Sequence, residues 1–266
     1  FFCQNMVSLK LNVLSLRYSS WSMRPYLVLL QAGADFASET VSLAHMRDPT
    51  GPVESLDERR KLGCVHGLFP ALQIDNHDDE ETKNRQTTTT LIHESLAICE
   101  YVAERHPEAH LWPTDPLERA RSRALACEMI SGFSSLRNEC SCSLFARVPS
   151  FAPSPATQRD VDRVMEIWTE CLERSGGPYL FGAHFGIVDA MYYPVLTRFR
   201  TYGIALPTEH IQAYAQTVES TPAVLQLVKK ARGEPSLALY DDYIKMLGGD
   251  PNKMLGGDPN KELLSS

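Results

Sequence analysis

Strand-like and helix-like segments alternate along the first part of the chain, and the strand signal stops near Pro107. A chain with that break has to build two architectures in series. Leu11-Asn12-Val13-Leu14-Ser15-Leu16 alternates apolar and polar residues, the period of a strand. Tyr26-Leu27-Val28-Leu29-Leu30 is apolar and runs to Gly33, as a buried helix closed by glycine does. Ala37 to Leu43 reads as a second strand, Asp48 to Pro52 as a break, and Glu54 to Leu62 as a short irregular helix. Phe69-Pro70 opens a strand, because a proline cannot donate within a ladder. Asp75 to Thr90 is polar and of low complexity, which predicts an enlarged, mobile hairpin loop. Leu91-Ile92-His93 is the last strand, and Ser95 begins a helix carrying Leu96, Ile98, Cys99, Val102 and Ala103. The order β-α-β-α-β-β-α over residues 6–106 predicts a mixed α/β sandwich of thioredoxin type.

Residues 113–240 read as an all-helical domain. Asp115 caps a long helix with Pro116 in its first position, and Ala120, Leu125, Met129, Phe133 and Leu136 form its apolar face. Val161, Val164, Met165, Trp168, Cys171 and Leu172 follow helical spacing up to the stop at Gly176-Gly177-Pro178. Phe181 to Tyr202 and Glu209 to Arg232 supply further helical stretches. Lys245 to Asn252 recurs as Lys253 to Asn260, so residues 241–266 read as a repetitive, mobile tail.

A net charge of −7 argues against a nucleic-acid surface or an anionic membrane as partner. No apolar run approaches the roughly 18 residues of a membrane span. Phe1 to Met6 lacks the pattern of a signal peptide, and the natural start is expected at Met6. The seven cysteines form no regular framework. Cys99, Cys127 and Cys171 read as small core residues, and Cys140 with Cys142 lacks the second ligand pair of a metal site. A reducing cytoplasm is the expected compartment, with no metal.

Tyr18-Ser19-Ser20-Trp21-Ser22-Met23-Arg24-Pro25 joins the first strand to the first helix. Hydroxyls there lie beside the free N–H groups of a helix start, which favour an anion. Pro25 is read as an early helical residue whose missing N–H has no consequence. Gly67-Leu68-Phe69-Pro70-Ala71-Leu72 and His93-Glu94-Ser95-Leu96-Ala97-Ile98 follow in order. Together these three stretches resemble the cytosolic glutathione transferases, most nearly a serine-type group of bacteria and fungi related to the zeta class. The resemblance runs from about Leu9 to Ala231.

That resemblance implies a thioredoxin-like domain followed by a helical one, with glutathione as co-substrate, a small electrophile as second substrate, and a homodimer. It implies a cis peptide bond at Phe69-Pro70 that turns the Phe69 backbone toward the cysteinyl amide of the peptide. Glu94 would hold the ammonium and the Ser95 hydroxyl the neighbouring carboxylate, with Trp21 beside them. Ser19 or Ser20 would donate a hydrogen bond to the thiolate; zeta-like spacing selects Ser19, theta-like spacing Ser20, and Ser22 is a helix-start residue. The glycyl carboxylate needs a cation, with Arg47, Arg59, Arg60, Lys61 and His66 as candidates. Met129, Phe133 and Arg137 would line the electrophile pocket from one helix face. Glutathione-dependent cis–trans isomerisation and a non-catalytic binding module are the competing functions. The chain departs from the family at Gly186-Ile187-Val188-Asp189, where a hydroxyl residue usually caps the helix.

Overall fold

The computed structural model describes residues 7–41, 68–77 and 87–253. The expected helix at 54–62, the five candidate cations at positions 47–66 and all of the second tail-repeat copy but Lys253 lie outside those residues.

Strands β1 (Val7–Val13), β2 (Ala37–Thr40), β3 (Ala71–His77) and β4 (Thr87–His93) form one sheet in the order β2-β1-β3-β4. β1 and β2 are parallel, as a crossover through helix α1 (Ser20–Gln31) requires, while β1–β3 and β3–β4 are antiparallel. Leu11, Val13, Leu72 and Ile74 of the sheet join Met23, Leu27 and Val28 of α1 in the core. Helix α2 (Ser95–Arg105) adds Ile98, Cys99 and Val102 to it. The register aligns Asn12 with Ala71 and Ala71 with His93. The end of β1, the start of β3 and the end of β4 therefore lie side by side at one end of the sheet. That brings residues 14–22, Phe69-Pro70 and Glu94-Ser95 together.

The hairpin loop is shorter than its composition suggests. Asp75 pairs with Thr89 and Asn76 with Thr88, so the ladder reaches into the polar stretch at both ends. Threonine's branched β-carbon suits a strand whatever its polarity. The Asp75 carboxylate also accepts hydrogen bonds from Gln73 at 2.8 Å and Thr89 at 2.6 Å.

The second half contains α3 (Pro116–Ser131), α4 (Ser134–Glu139), α5 (Pro155–Ser175), α6 (Ile187–Tyr202), α7 (Glu209–Ser220), α8 (Pro222–Arg232) and α9 (Ala238–Met246). A thioredoxin-like α/β domain followed by an all-helical domain is thus the observed fold. Helix α6 runs through the middle, with almost every residue buried. Trp168 of α5 packs against Tyr192, Phe199 and Tyr214. Among the described residues no helix is long and apolar enough to cross a membrane.

Four expectations for this half need correction. The long first helix is two helices, because the chain breaks at Gly132 and Phe133 takes a left-handed φ of 57°. A Cβ on Gly132 would come within 2.8 Å of the Glu128 carbonyl oxygen, so only glycine allows the turn. The boundary drawn at 240/241 falls inside α9, and the first copy of the repeat is packed rather than loose. Asp250 exchanges two backbone hydrogen bonds of 2.9 Å with Arg147, and Asn252 accepts one from the Arg17 guanidinium. Cys127 is exposed, whereas Cys99 and Cys171 are buried as expected.

The missing hydroxyl cap of α6 also has an explanation. The Leu111 carbonyl accepts from Ile187 N at 3.0 Å and would lie 3.0 Å from any Cβ at position 186. A backbone oxygen of the linker thus occupies the space of a side-chain cap. Asp189 accepts from Gly186 N at 2.8 Å and from Leu180 N at 3.1 Å, and Tyr214 also hydrogen-bonds to it. Burial lifts its pKa to about 6 against the pull of these donors.

Candidate active site

The turn from β1 into α1 is built by its own serines. Ser19 N donates to Ser15 O at 3.0 Å, and Met23 N to Ser19 O at 3.1 Å, which starts the helix. Ser19 is the N-cap, and its Oγ accepts from Ser22 N at 3.3 Å. An accepting hydroxyl keeps its own proton for donation. Ser20 is the first helical residue, and both serines are buried. Ser22 is not a bystander at the helix start. Its Oγ accepts from Leu14 N at 3.1 Å and ties the strand end to the first turn of the helix.

Pro25 lies at the sixth residue of α1, deeper than its expected first-turn place. Its missing N–H would leave the Trp21 carbonyl without the usual partner four residues on. Ser95 supplies that partner: its Oγ donates to Trp21 O at 2.9 Å. The proton expected to meet a carboxylate is therefore committed to the neighbouring helix. A carboxylate at this point would be met by the backbone N–H groups of α2's first turn. Ser95→Ala should destabilise the fold by about 1–3 kcal/mol, because it leaves a buried carbonyl unpaired. Pro25→Ala in that background should recover part of the loss by restoring the helical N–H donor. Urea unfolding of the two single mutants and the double mutant checks this; strictly additive effects would rule it out.

Glu94, the N-cap of α2, is exposed and holds a φ of 77°. For a residue with a side chain this backbone costs about 1–3 kcal/mol. Its Oε2 accepts from Leu96 N at 3.1 Å, the bond that caps α2. The Phe69–Pro70 peptide bond is cis, as expected, and the Phe69 side chain packs against Val41 and Leu14.

The residues assigned to an electrophile pocket differ in burial. Met129 is fully buried in the core. Phe133 is buried and meets Tyr192 edge-on, with centroids 6.3 Å apart. Arg137 is half-buried, and its guanidinium lies 4.6 Å from the centre of the Trp21 ring. The Arg24 guanidinium lies 4.5 Å from the same ring and donates to Met191 O at 3.3 Å. Burial, with Arg198 and Arg137 nearby, pulls its pKa down to about 9. Arg198 is buried and donates to Cys140 O at 2.8 Å. No ion pair joins these three arginines to an acid among the described residues. Arg24 stood in the Trp-Ser-Met-Arg-Pro stretch, but nothing in sequence brought Arg198 to it. Among the described residues no group of three or more metal-ligating side chains occurs.

Residues 154–219 match the family model of the glutathione S-transferase C-terminal domain. These residues run from the cap of α5 to the end of α7. A probable maleylacetoacetate isomerase of Caenorhabditis elegans is 27% identical over 136 residues, covering 51% of this chain and 64% of that protein. Glutathione S-transferase omega-2 of Rattus norvegicus is 28% identical over 140 residues, covering 52% of this chain and 54% of that protein. The chain thus spans less than two thirds of the length of either relative. A crystal structure of a glutathione transferase homolog from Burkholderia gl BGR1, with bound glutathione, superposes with a TM-score of 0.58 at 23% identity. That superposition covers 86% of this chain and 100% of the other. The chain has the fold of the glutathione transferases, and residues 154–219 match the C-terminal domain of that family.

Proposed function

We propose that this chain binds glutathione at the end of the sheet and activates its thiol as thiolate for attack on a small electrophile. The observation that carries the reading is Ser19 at the positive end of α1, its hydroxyl accepting from Ser22 N and donating to no acceptor among the described residues. The hydroxyl donates to the thiolate, and the helix end adds its partial charge. Glu94 holds the ammonium of the peptide, the N–H groups of α2's first turn hold the adjacent carboxylate, and the Phe69 backbone meets the cysteinyl amide. The Trp21 ring flanks the bound peptide. Calorimetry with glutathione tests this first. Binding at sub-millimolar to millimolar concentration is the expected result, and its absence would favour a non-catalytic module of the same fold.

A second reading is glutathione-dependent cis–trans isomerisation of an acidic substrate. Arg137, half-buried over Trp21 and without an acidic partner among the described residues, favours an electrophile that carries a carboxylate. Turnover of a neutral chloroarene and of a carboxylate-bearing cis-enone, compared on one preparation, separates the two.

The protein is also expected to be a homodimer, the commonest closed assembly. Sedimentation at micromolar protein should give twice the monomer mass.

A further inference from the structure

We infer that Glu234 is a positioning residue for the proposed activating serine, acting from the far end of the chain. The inference rests on the reading that Ser19 activates the thiol. Glu234 follows Gly233, the C-cap of α8, and its carboxylate reaches back into the turn between β1 and α1. Oε2 accepts from Ser15 Oγ at 2.7 Å, from Leu16 N at 2.9 Å and from Arg17 N at 3.2 Å. Oε1 accepts from Leu16 N at 3.1 Å and from Thr40 Oγ1, at the end of β2, at 3.0 Å.

These bonds lead to Ser19 through one intermediary. Ser15 Oγ, while donating to Glu234, accepts from Arg17 N at 3.0 Å and Tyr18 N at 3.3 Å. Ser15 O accepts from Ser19 N at 3.0 Å. The turn contains backbone donors that belong to neither the sheet nor the helix, and a buried donor needs a partner. One carboxylate satisfies two of them directly and orients the serine that holds the rest. Hydrogen bonds to an ionised acceptor are stronger and shorter than neutral ones, so the turn has a single preferred shape. In that shape Ser19 is delivered to the α1 N-cap. Tyr18 adds a second tie to the same distant segment, donating to Asp241 at 2.7 Å and stacking on Tyr240 at 4.9 Å. Glu234 touches neither Ser19 nor the proposed thiol site, so its effect passes through the loop.

The test compares Glu234→Ala, Glu234→Gln, Ser19→Ala and the Glu234→Ala/Ser19→Ala double variant, with two readouts. The first is amide exchange at Leu16 and Arg17, which does not depend on catalysis. Glu234→Ala should speed it about tenfold or more, and Glu234→Gln, which keeps one acceptor oxygen, should speed it less. The second is steady-state kinetics against pH. Glu234→Ala should lower kcat about tenfold at pH 7 with KM for glutathione little changed. It should move the ascending limb of the profile, where the thiol ionises, to higher pH, and it should add little once Ser19 is alanine. Unchanged exchange at Leu16 and Arg17 overturns the inference. Faster exchange with an unchanged pH profile also overturns it, provided Ser19→Ala does shift the profile. Glu234 is then a structural tie only. If Ser19→Ala leaves the profile where it was, the serine reading itself falls and takes the inference with it.

Discussion

Ser19→Ala should raise the apparent thiol pKa in the pH–rate profile by about one to two units. A hydrogen bond to a charged acceptor contributes roughly 1.5–3 kcal/mol, and each pKa unit corresponds to about 1.4 kcal/mol. A free thiol titrates near 8.5, so a shift of this size decides whether the thiolate is a minor or a substantial species at neutral pH. Turnover at pH 7 should fall about tenfold or more. Glutathione affinity should change little, because the proposed contacts from Glu94, the first turn of α2 and the Phe69 backbone would still hold the peptide. The mutation also removes an N-cap, at about 0.5–2 kcal/mol of stability, so a lower Tm alone says nothing about catalysis. Ser19→Thr keeps both the cap and the donor and should recover most of the rate. Ser20→Ala should do much less. If the two alanine variants exchange phenotypes, the neighbouring hydroxyl is the donor. If neither moves the profile, the serine-activated mechanism is wrong.

The largest effect on stability is expected at Asp189. Its carboxylate is buried and serves Gly186 N, Leu180 N and Tyr214. Asp189→Ala leaves these donors unpaired, and each buried orphan costs about 1–3 kcal/mol. A loss of roughly 3–4 kcal/mol is the expected sum after some relaxation. The pH dependence has a definite sign. The folded pKa of about 6 lies above the ordinary value of 3.8, so the folded state holds this proton more tightly than the unfolded state does. The stabilisation from the protonated group is complete below about pH 4 and is lost as pH rises through about 6. Other carboxylates contribute slopes of their own, so the quantity to measure is the wild-type minus Asp189→Ala difference. Urea unfolding at pH 4.5 and pH 7.5 should give a larger difference at the lower pH. A pH-independent difference would mean that Asp189 enters the fold already ionised.

The segments that could be read from sequence are those whose period carries the information. The helical spacing from Val161 to Leu172 reports one buried face, and Val161, Val164, Trp168, Cys171 and Leu172 are buried as expected; the strand read at Leu11 to Leu16 is instead Val7–Val13, with Leu14 to Leu16 in the turn beyond it. The three motif stretches met at one end of the sheet because register alone brings them there. What escaped the sequence depends on partners far away in the chain. Pro25 looked like a helix-start residue because its true compensation, Ser95, lies 70 residues further on. Phe133 looked like part of a continuous helix because apolar spacing continues through Gly132, and only the Glu128 carbonyl reveals the break. Met129 was assigned to the pocket although apolar residues at helical spacing are more often core, since spacing gives a direction and not a depth. Glu234 had no sequence signal at all: a single acid after a helix reads as solvated surface.

The bond between Ser15 and Glu234 closes a loop of 219 residues, and the one between Arg17 and Asn252 a loop of 235. A polypeptide leaves the ribosome N-terminus first, and domains tend to fold as they emerge. The sheet of the first domain has all its strands by His93 and can assemble early. The turn that carries Ser19 cannot take its final shape until the last helices have been synthesised and docked. Nascent chains arrested before residue 234 would therefore hold a folded scaffold with the turn at Ser19 unfinished.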